Sequence, residues 1–402
     1  MKKFLFLIMS ILILSACNSI PTKANATLNL KMIYDDERPC AETTEGYYSV
    51  ASLDGVSYNI IYTDYATNET IALCNRAECK HDDNNCTSYV ENTNSFIFVD
   101  NNFLYVANAG ITGNLETIEP YMLANVVRKD LNGSNSKVLY EFSAQTSING
   151  SIVEDEENNL YFLIYRVEEN DNKIDYNQYL VKLTQNSELT EVTQITFTGK
   201  IFGALNDKIY LLDMSSDDQY KLIEYSISDG KSNTVLSWKP GEYKGQIYNE
   251  YFCYVDTQNN TVNKYNLSNR KNEIIVSDFD YRKDDINFYK IIDNEMLMSV
   301  RDMSNGLDNS EYKRISVNIE DHQVKQSSLS YVDGTKSYPV SILGSYNDKY
   351  FVLNGYEYRT IQLPGKNGSW YETEGKFSKY AMISKSDYWA GIPNYEETKI
   401  SY

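Results

Sequence analysis

Residues 96–105 read FIFVDNNFLY, and residues 201–210 read IFGALNDKIY. Each stretch has an apolar segment, a turn rich in Asn and Asp, and a second aromatic or apolar segment. Asn and Asp tolerate the left-handed backbone conformation that tight hairpins require, so each stretch predicts a β-hairpin. The same turn recurs at residues 158–161, 249–252, 294–297 and 347–351.

A second hairpin signal follows each of these turns. Residues 220–225 alternate polar and apolar side chains before SDGK at 228–231, and residues 262–267 do so before SNRK at 268–271. Two hairpins per unit make a four-stranded antiparallel sheet, which cannot bury both of its faces alone. Four strands recurring with a period of about 50 residues are typical of β-propellers, whose blades cover one another's faces.

We therefore predict an all-β chain that forms a β-propeller of about seven four-stranded antiparallel blades. Six units begin near residues 95, 149, 200, 245, 289 and 341, and an incomplete unit precedes them from residue 46. Residues 28–32 or 399–402 are expected to supply its missing strand. A pair of β-sandwiches is the alternative architecture, but it does not explain a period carried through most of the chain.

The composition supports a β-rich chain and excludes one class of partner. Tyrosine occurs 36 times, aromatic residues make up 13% of the chain, and proline occurs only 7 times. Aromatic residues favour strands. The formal net charge of −19 repels nucleic acid and anionic lipid headgroups, so we expect no nucleic-acid partner. This charge suits cations or a basic protein surface.

The amino terminus has the pattern of an export signal. Lys2 and Lys3 precede an apolar run over residues 4–14, which is shorter than the roughly 20 residues that span a bilayer. The run ends in LSAC at residues 14–17, which resembles the bacterial lipobox. That resemblance implies cleavage before Cys17 and a diacylglycerol on its thiol. We predict a signal peptide at 1–16, a lipidated linker at 17–44 and the propeller at 45–402.

Two segments resemble known propellers. Residues 130–139, DLNGSNSKVL, are similar to the third-to-fourth-strand hairpin of propellers of the low-density-lipoprotein-receptor type, with Asn132 where those often carry Asp. Residues 73–86, LCNRAECKHDDNNC, resemble a group of propeller lipoproteins of low-GC Gram-positive bacteria. The resemblance implies a propeller attached to the cell surface. It implies no settled activity, so it transfers no catalytic residues.

The cysteine segment is the sharpest motif. Cys74, Cys79, His81 and Cys86 have the residue types of a tetrahedral zinc site. In an oxidising compartment, however, cysteines usually pair, and Cys40 makes an even set of four with the other three cysteines. We predict disulfides among Cys40, Cys74, Cys79 and Cys86, in a pairing that the sequence does not decide, and keep a structural metal site and free or redox-active thiols as the alternatives.

Aromatic loops are the best candidates for a contact surface. Trp370 and Tyr371 follow the loop signal PGKNGS, and Tyr388 and Trp389 lie in another loop near residue 390. Exposed aromatic side chains stack on sugars and anchor protein interfaces. Packing between blades is the competing interpretation of all four residues.

No sequence motif indicates catalysis. The chain lacks a Gly-x-Ser-x-Gly elbow, a phosphate-binding glycine loop and a His-Glu-x-x-His motif, so we expect no cofactor and no enzyme. We predict a lipoprotein on the extracytoplasmic face of the cell membrane, binding an envelope protein or a glycan through one propeller face. The alternatives are a polysaccharide hydrolase or lyase with acids at the central channel, and a sensor subunit of a membrane complex.

Overall fold

The computed structural model describes residues 28–36, 41–52, 54–74, 76, 78–90, 95–110, 123–170, 173–277, 286–302, 311–364 and 369–401. The predicted signal peptide, Cys17 and Cys40 lie outside these residues. The described part is almost entirely β-structure, with one short helix. None of its helices has the length and apolar character needed to cross a membrane.

Seven consecutive sheets follow one another along the chain, each ordered from its first strand to its fourth. β1 (Lys31–Tyr34) precedes them. Blade one contains β2 (Ala41–Glu42), β3 (Gly46–Ser52), β4 (Tyr58–Asp64) and β5 (Glu69–Ala72). Blade two contains β6 (Ser95–Val99), β7 (Phe103–Asn108), β8 (Asn125–Asp130) and β9 (Lys137–Glu141). Blade three contains β10 (Thr146–Glu154), β11 (Leu160–Asn170), β12 (Lys173–Leu183) and β13 (Leu189–Ile195).

The remaining four blades repeat this order. Blade four contains β14 (Gly199–Leu205), β15 (Lys208–Asp213), β16 (Tyr220–Ser226) and β17 (Ser232–Trp238). Blade five contains β18 (Tyr243–Tyr248), β19 (Tyr251–Asp256), β20 (Thr261–Asn266) and β21 (Asn272–Val276). Blade six contains β22 (Ile286–Ile292), β23 (Glu295–Asp302), β24 (Glu311–Asn318) and β25 (Val324–Ser327). A small hairpin of β26 (Ser330–Asp333) and β27 (Lys336–Pro339) then leads to blade seven. Blade seven contains β28 (Ser341–Tyr346), β29 (Lys349–Pro364), β30 (Trp370–Ser384), helix α1 (Lys385–Ala390) and β31 (Glu396–Glu397). β32 (Lys399–Ser401) follows.

The repeated turn has the predicted chemistry. Five turns between first and second strands carry an Asn with a positive φ of 51° to 63°: Asn158, Asn206, Asn249, Asn294 and Asn347. The aromatic residues that follow such turns are fully buried, namely Tyr105, Tyr161, Tyr210, Phe252 and Tyr350. The recurring aromatic position thus fills the space between blades.

The buried side chains of the described residues form seven clusters, one for each pair of neighbouring blades. The last cluster joins blade seven to blade one, where the rings of Tyr47 and Phe351 lie 5.3 Å apart. The blades therefore close into a ring, and the predicted seven-bladed propeller is confirmed.

The two ends of the described chain occupy different blades. β32 pairs with β5 and adds a fifth, parallel strand to the outer edge of blade one, so residues 399–401 join the predicted blade. They do not supply a missing strand, because β2 completes the four strands of this blade. Residues 28–34 do not join it. β1, which falls within the predicted linker, pairs antiparallel with β10 at the inner edge of blade three. Tyr34 there stacks on Phe96 of blade two, with ring centroids 4.7 Å apart.

The antiparallel order defines two faces. Turns between first and second strands and between third and fourth strands emerge on one side, which we call the turn face. Connections between second and third strands, and crossovers between blades, emerge on the other side, which we call the hairpin face. The backbone N–H of Leu30 donates to the carbonyl oxygen of Asn206, which lies in a turn of the turn face. Residues 28–30, where the described chain enters the ring, therefore lie at the turn face.

Candidate functional site

Blade seven carries the longest hairpin of the described chain. β29 and β30 stay paired from Lys349 and Ser384 to Pro364 and Trp370, well past the end of β28. We call residues 355–364 and 370–379 the projecting hairpin. It joins a second strand to a third and so extends from the hairpin face. An isolated two-stranded hairpin is at best marginally stable in water, so this one needs support from its neighbours.

One side of the projecting hairpin packs on the small hairpin β26–β27. The rings of Tyr331 and Tyr356 lie 5.8 Å apart, and Lys376 Nζ lies 2.6 Å from Asp333 Oδ2. The Tyr358 hydroxyl also donates to Asp333. Because directly paired residues share a face of a sheet, Tyr356, Tyr358 and Lys376 all lie on this side. These contacts fix the base of the hairpin.

The other side of the projecting hairpin contacts blade one. The Arg359 guanidinium lies 4.9 Å from the centroid of the Phe377 ring, and it also pairs with Glu357. A Cβ added to Gly55 of blade one would lie 2.7 Å from the Ile361 side chain, so hairpin and blade are in close contact here. The hairpin is therefore held on both of its sides below its tip, which we place at the last described pair, Pro364 and Trp370.

Two predicted contact residues form this tip. Trp370 is 66% exposed and Tyr371 is 52% exposed. As neighbours in a strand they point to opposite faces, so each face of the tip presents one aromatic ring. Glu372 and Glu374, both exposed, share the face of Trp370. The tip therefore combines large apolar side chains with negative charge.

The other two predicted contact residues belong to the core. Tyr388, in helix α1, has no exposed surface, and its hydroxyl donates to the carbonyl oxygen of Val340 over 2.8 Å. Trp389 is half-buried, and its indole N–H donates to the Tyr350 hydroxyl over 3.2 Å. The prediction of an exposed aromatic loop at Tyr388 is therefore wrong, because the helix folds this residue into the seam between blades six and seven.

The cysteine segment interrupts the outer strand of blade one. β5 ends at Ala72, and residues 88–90 then lie at the same edge of β4. The backbone N–H of Ile60 donates to the carbonyl oxygen of Ser88, and the backbone N–H of Val90 donates to the carbonyl oxygen of Tyr58. We call the inserted residues 73–87 the cysteine loop. A Cβ added to Gly133 would lie 2.6 Å from the Leu73 carbonyl oxygen, so the loop packs closely on a turn of blade two.

The loop brings all four predicted ligands together. One ligand atom from each of Cys74, Cys79, His81 and Cys86 lies within 4.8 Å of the others. Among them, His81 Nδ1 lies 3.1 Å from Cys86 Sγ. Glu78 and His81 adopt left-handed backbone conformations, with φ of 61° and 58°, which turn the loop back on itself.

The thiols of the loop are unpaired in the structure. Cys74, Cys79 and Cys86 are free, as is Cys253 in β19. No disulfide therefore joins cysteines within the described residues. Cys40 lies outside them, so the prediction of a bridge to Cys40 stays a prediction.

The pKa values of two thiols in the cysteine loop are shifted in opposite directions. Burial raises the pKa of Cys74, but hydrogen bonds from the Arg76 backbone, the Thr87 hydroxyl and the other two thiols outweigh it and bring the pKa down to about 7. Burial dominates at Cys86 and raises the pKa of that thiol. Burial also raises the pKa of Cys253 to about 12, which leaves this thiol inert.

A pair of carboxyl groups that sequence analysis did not identify lies between blades two and three. Glu154, at the end of β10, is 6% exposed, and Asp100, in the turn after β6, is 4% exposed. Burial, and after it hydrogen bonding to Asp100, raises the pKa of Glu154 to about 8. The two acids come from different blades, so no local motif marks them.

Comparisons with known proteins identify a fold but no family. No protein-family model matches the chain, and no curated protein matches it either. Among solved structures, one of a prolyl endopeptidase matches 89% of this chain and 55% of its own chain, with 9% identity and a TM-score of 0.51. At that identity the likeness shows the propeller fold alone.

Two further structures are similar at lower scores. Dipeptidyl peptidase 4 from Porphyromonas gingivalis matches 91% of this chain and 60% of its own, with 10% identity and a TM-score of 0.48. The β-propeller domain of the Trilobed protease from Pyrococcus furiosus matches 92% and 98%, with 11% identity and a TM-score of 0.43. This chain thus spans little more than half the length of the prolyl endopeptidase chain. The propeller part of the predicted resemblance is confirmed, and the relation to Gram-positive lipoproteins stays a prediction.

Proposed function

We propose that this chain is a lipid-anchored, extracytoplasmic β-propeller that acts by binding a cell-envelope protein or glycan. The anchor is Cys17, and the contact surface is the tip of the projecting hairpin. The observation that carries the proposal is that residues 28–30 enter the ring at the turn face, whereas the exposed rings of Trp370 and Tyr371 extend from the hairpin face.

The tether is short enough for this placement to matter. Residues 17–28 span at most about 40 Å when fully extended. A lipid on Cys17 would thus hold the turn face towards the membrane and direct the projecting hairpin away from it. One acyl chain binds a membrane only marginally, whereas the two chains of a diacylglycerol anchor a protein stably.

The tip has the properties of a contact surface. Trp and Tyr side chains that are more than half exposed are costly to leave in water, and both residue types are typical of interface hot spots. Glu372 and Glu374 beside Trp370 add negative charge, as does the net charge of the whole chain. A partner that presents cationic groups next to an apolar or sugar surface fits this combination.

The accessible surface gives less support to a hydrolase or lyase. Glycosidic bond cleavage needs two carboxyl groups that reach the substrate. Asp100 and Glu154 are paired, but both are buried between blades. A substrate would have to separate blades two and three to reach them.

Cross-linking on intact cells tests the binding proposal. A photo-reactive amino acid is introduced at position 370, and the control carries it at position 274, where Ile274 is 57% exposed on the outer strand of blade five. We expect one dominant protein adduct from position 370 and none from position 274. Equal adducts from both positions would contradict a specific tip.

Two further measurements complete the test. If position 370 gives no protein adduct, the soluble domain and its Trp370→Ala variant are assayed for retention on cell-wall polysaccharide, and cleavage of that polysaccharide would instead establish an enzyme. Metabolic labelling with an alkyne fatty acid, followed by fractionation, tests the anchor. We expect Cys17→Ser to lose the label and to leave the membrane fraction.

A further inference from the structure

The cysteine loop contains a group of side chains that the binding proposal does not use. We propose that Cys74, Cys79, His81 and Cys86 bind one zinc ion in a closed tetrahedral site. The inference is independent of what the projecting hairpin binds. It rests on the ligand geometry, on the lack of a core in the loop and on a buried cation beside it.

The ligand atoms are already close to the required arrangement. Zinc–sulfur bonds of about 2.3 Å place the corners of a tetrahedron about 3.8 Å apart. The four ligand atoms lie within 4.8 Å of one another, so small rotations of the side chains close the site. Three thiolates and one imidazole are a ligand set that favours zinc over calcium or magnesium.

The loop cannot be ordered by a hydrophobic core. Between Cys74 and Cys86, Ala77 is the sole apolar side chain apart from Cys79, and the rest are charged or polar. A segment of this composition cannot bury enough apolar surface to offset its loss of conformational entropy. Zinc bound to four side chains supplies that stabilisation directly.

Residues around the ligands hold them in position. The Ser88 hydroxyl lies 3.0 Å from Cys86 Sγ and donates to Asn59 Oδ1 over 2.9 Å. Asn59 Nδ2 in turn donates to the carbonyl oxygen of His81 over 3.1 Å. Zinc ligands are usually oriented by such an outer layer of hydrogen bonds. Strand β4 therefore positions two of the four ligands.

A buried lysine supplies a charge that matches the site. Lys129 of blade two is 9% exposed, lies close enough to Cys86 to interact with its charge, and donates from Nζ to the carbonyl oxygen of Thr87 over 2.8 Å. Burying an ammonium group is costly unless a negative charge is nearby. Three thiolates, a neutral imidazole and Zn²⁺ carry a net charge of about −1, which offsets that of Lys129.

The site is structural, because its four ligands leave no position for a substrate. On binding, the three thiol protons pass to solvent and three Zn–S bonds form with one Zn–N bond. The ion would fix the outer strand of blade one against blade two. The same blade accepts β32, so the metal would stabilise the blade at which the ring closes.

The test measures metal and thiols on the purified mature chain. Zinc is quantified by mass spectrometry after dialysis, and accessible thiols are titrated before and after denaturation with a chelator. We expect about one zinc per chain, with the loop thiols reactive only after chelation. Replacement by Co²⁺ should give the strong visible absorption of a tetrahedral cobalt–thiolate site.

Matched variants assign the ligands. Cys79→Ser and His81→Ala should each weaken zinc binding more than about tenfold. Cys253→Ala and His322→Ala remove the same residue types outside the loop, and Cys40→Ser removes the remaining disulfide candidate. All three should keep one zinc. If a ligand variant fails to fold, the Co²⁺ spectrum of the unmodified chain still shows whether a tetrahedral thiolate site is present.

Two results would overturn the proposal. The first is a chain whose loop thiols are reduced but which takes up neither Zn²⁺ nor Co²⁺. The second is a disulfide that includes Cys74, Cys79 or Cys86 in protein purified from the oxidising side of the membrane. It would be detected as an intact mass lower by the hydrogens lost when the disulfide forms. The second result would instead support the disulfide prediction.

Discussion

The Glu154 side chain hydrogen bonds to the Asp100 carboxyl, and this buried pair joins the inner edges of blades two and three. The pKa of Glu154 is raised to about 8 in the folded chain, because burial and the neighbouring carboxylate disfavour its charge. In the unfolded chain its pKa is about 4.3. The folded state therefore holds a proton that the unfolded state releases between these values.

This difference sets the direction of a pH dependence. Where the folded state binds more protons, the free energy of unfolding falls as pH rises. The stabilisation is fully present below about pH 4 and is lost as pH approaches about 8. Glu154→Gln keeps a neutral donor beside Asp100. After allowance for solvent screening, we expect this variant to be about 1–2 kcal/mol more stable than the unmodified chain at pH 8.

Urea unfolding across the pH range checks this prediction. The exposed Glu156→Gln variant, in the next turn, is the control and should leave the pH profile unchanged. A Glu154→Gln variant whose stability falls with pH as steeply as that of the unmodified chain would contradict the assigned role.

Asn68 connects blade one to β31, the outer strand of blade seven. Its side chain donates to the carbonyl oxygens of Glu396 and Glu397 over 2.8 and 3.1 Å, and its own φ is 56°. Asn68→Ala loses both hydrogen bonds and disfavours that conformation, so we expect a loss of about 2 kcal/mol. Asn68→Gly relieves the conformational cost alone and should lose about 1 kcal/mol. Equal losses would show that the left-handed backbone conformation costs nothing, and a Gly variant as stable as the unmodified chain would show that the two hydrogen bonds contribute nothing.

Tyr388 and Trp370 should respond differently to substitution. Tyr388→Phe leaves the buried carbonyl group of Val340 without its donor, so we expect a loss of about 1–2 kcal/mol in the free energy of unfolding. Trp370→Ala removes an exposed ring and should change stability by less than about 0.5 kcal/mol. Both are measured by urea unfolding. A large destabilisation by Trp370→Ala would indicate a structural rather than a contact role.

Strand β1 is expected to be part of the folded ring in solution. Tyr34 is 7% exposed and stacks on Phe96, so Tyr34→Ala should cost about 3 kcal/mol. The matched change Lys31→Ala, at an exposed position of the same strand, should have little effect. If both variants match the unmodified chain in thermal unfolding, residues 31–34 are a linker.

The repeat was predictable because it is local. Each Asn or Asp turn and the aromatic residue behind it, such as Asn206 and Tyr210, lie within a few residues of one another, and their recurrence indicates the blades. The position of residues 31–34 was not predictable in this way. Their partner strand begins at Thr146, and a short apolar stretch does not specify which sheet edge it joins.

The candidate sites were likewise predictable only where their residues lie close together in the sequence. The cysteine loop was identifiable because its ligands lie within 13 residues of sequence, from Cys74 to Cys86. The assignment of Tyr388 failed, because aromatic residues near a loop signal are equally compatible with a short buried helix. Asp100 and Glu154 had no sequence signal at all, since the ring brings them together from separate blades.

The position of β1 at the centre of the ring also determines how the protein would bear a mechanical load. A pull on the segment before Leu28 acts along β1, so the hydrogen bonds between β1 and β10 are loaded in shear and resist together. The seam between blades seven and one lies away from this line of force. A force on the amino-terminal end of the chain is therefore transmitted through β1 and does not open the ring at the closing strand β32.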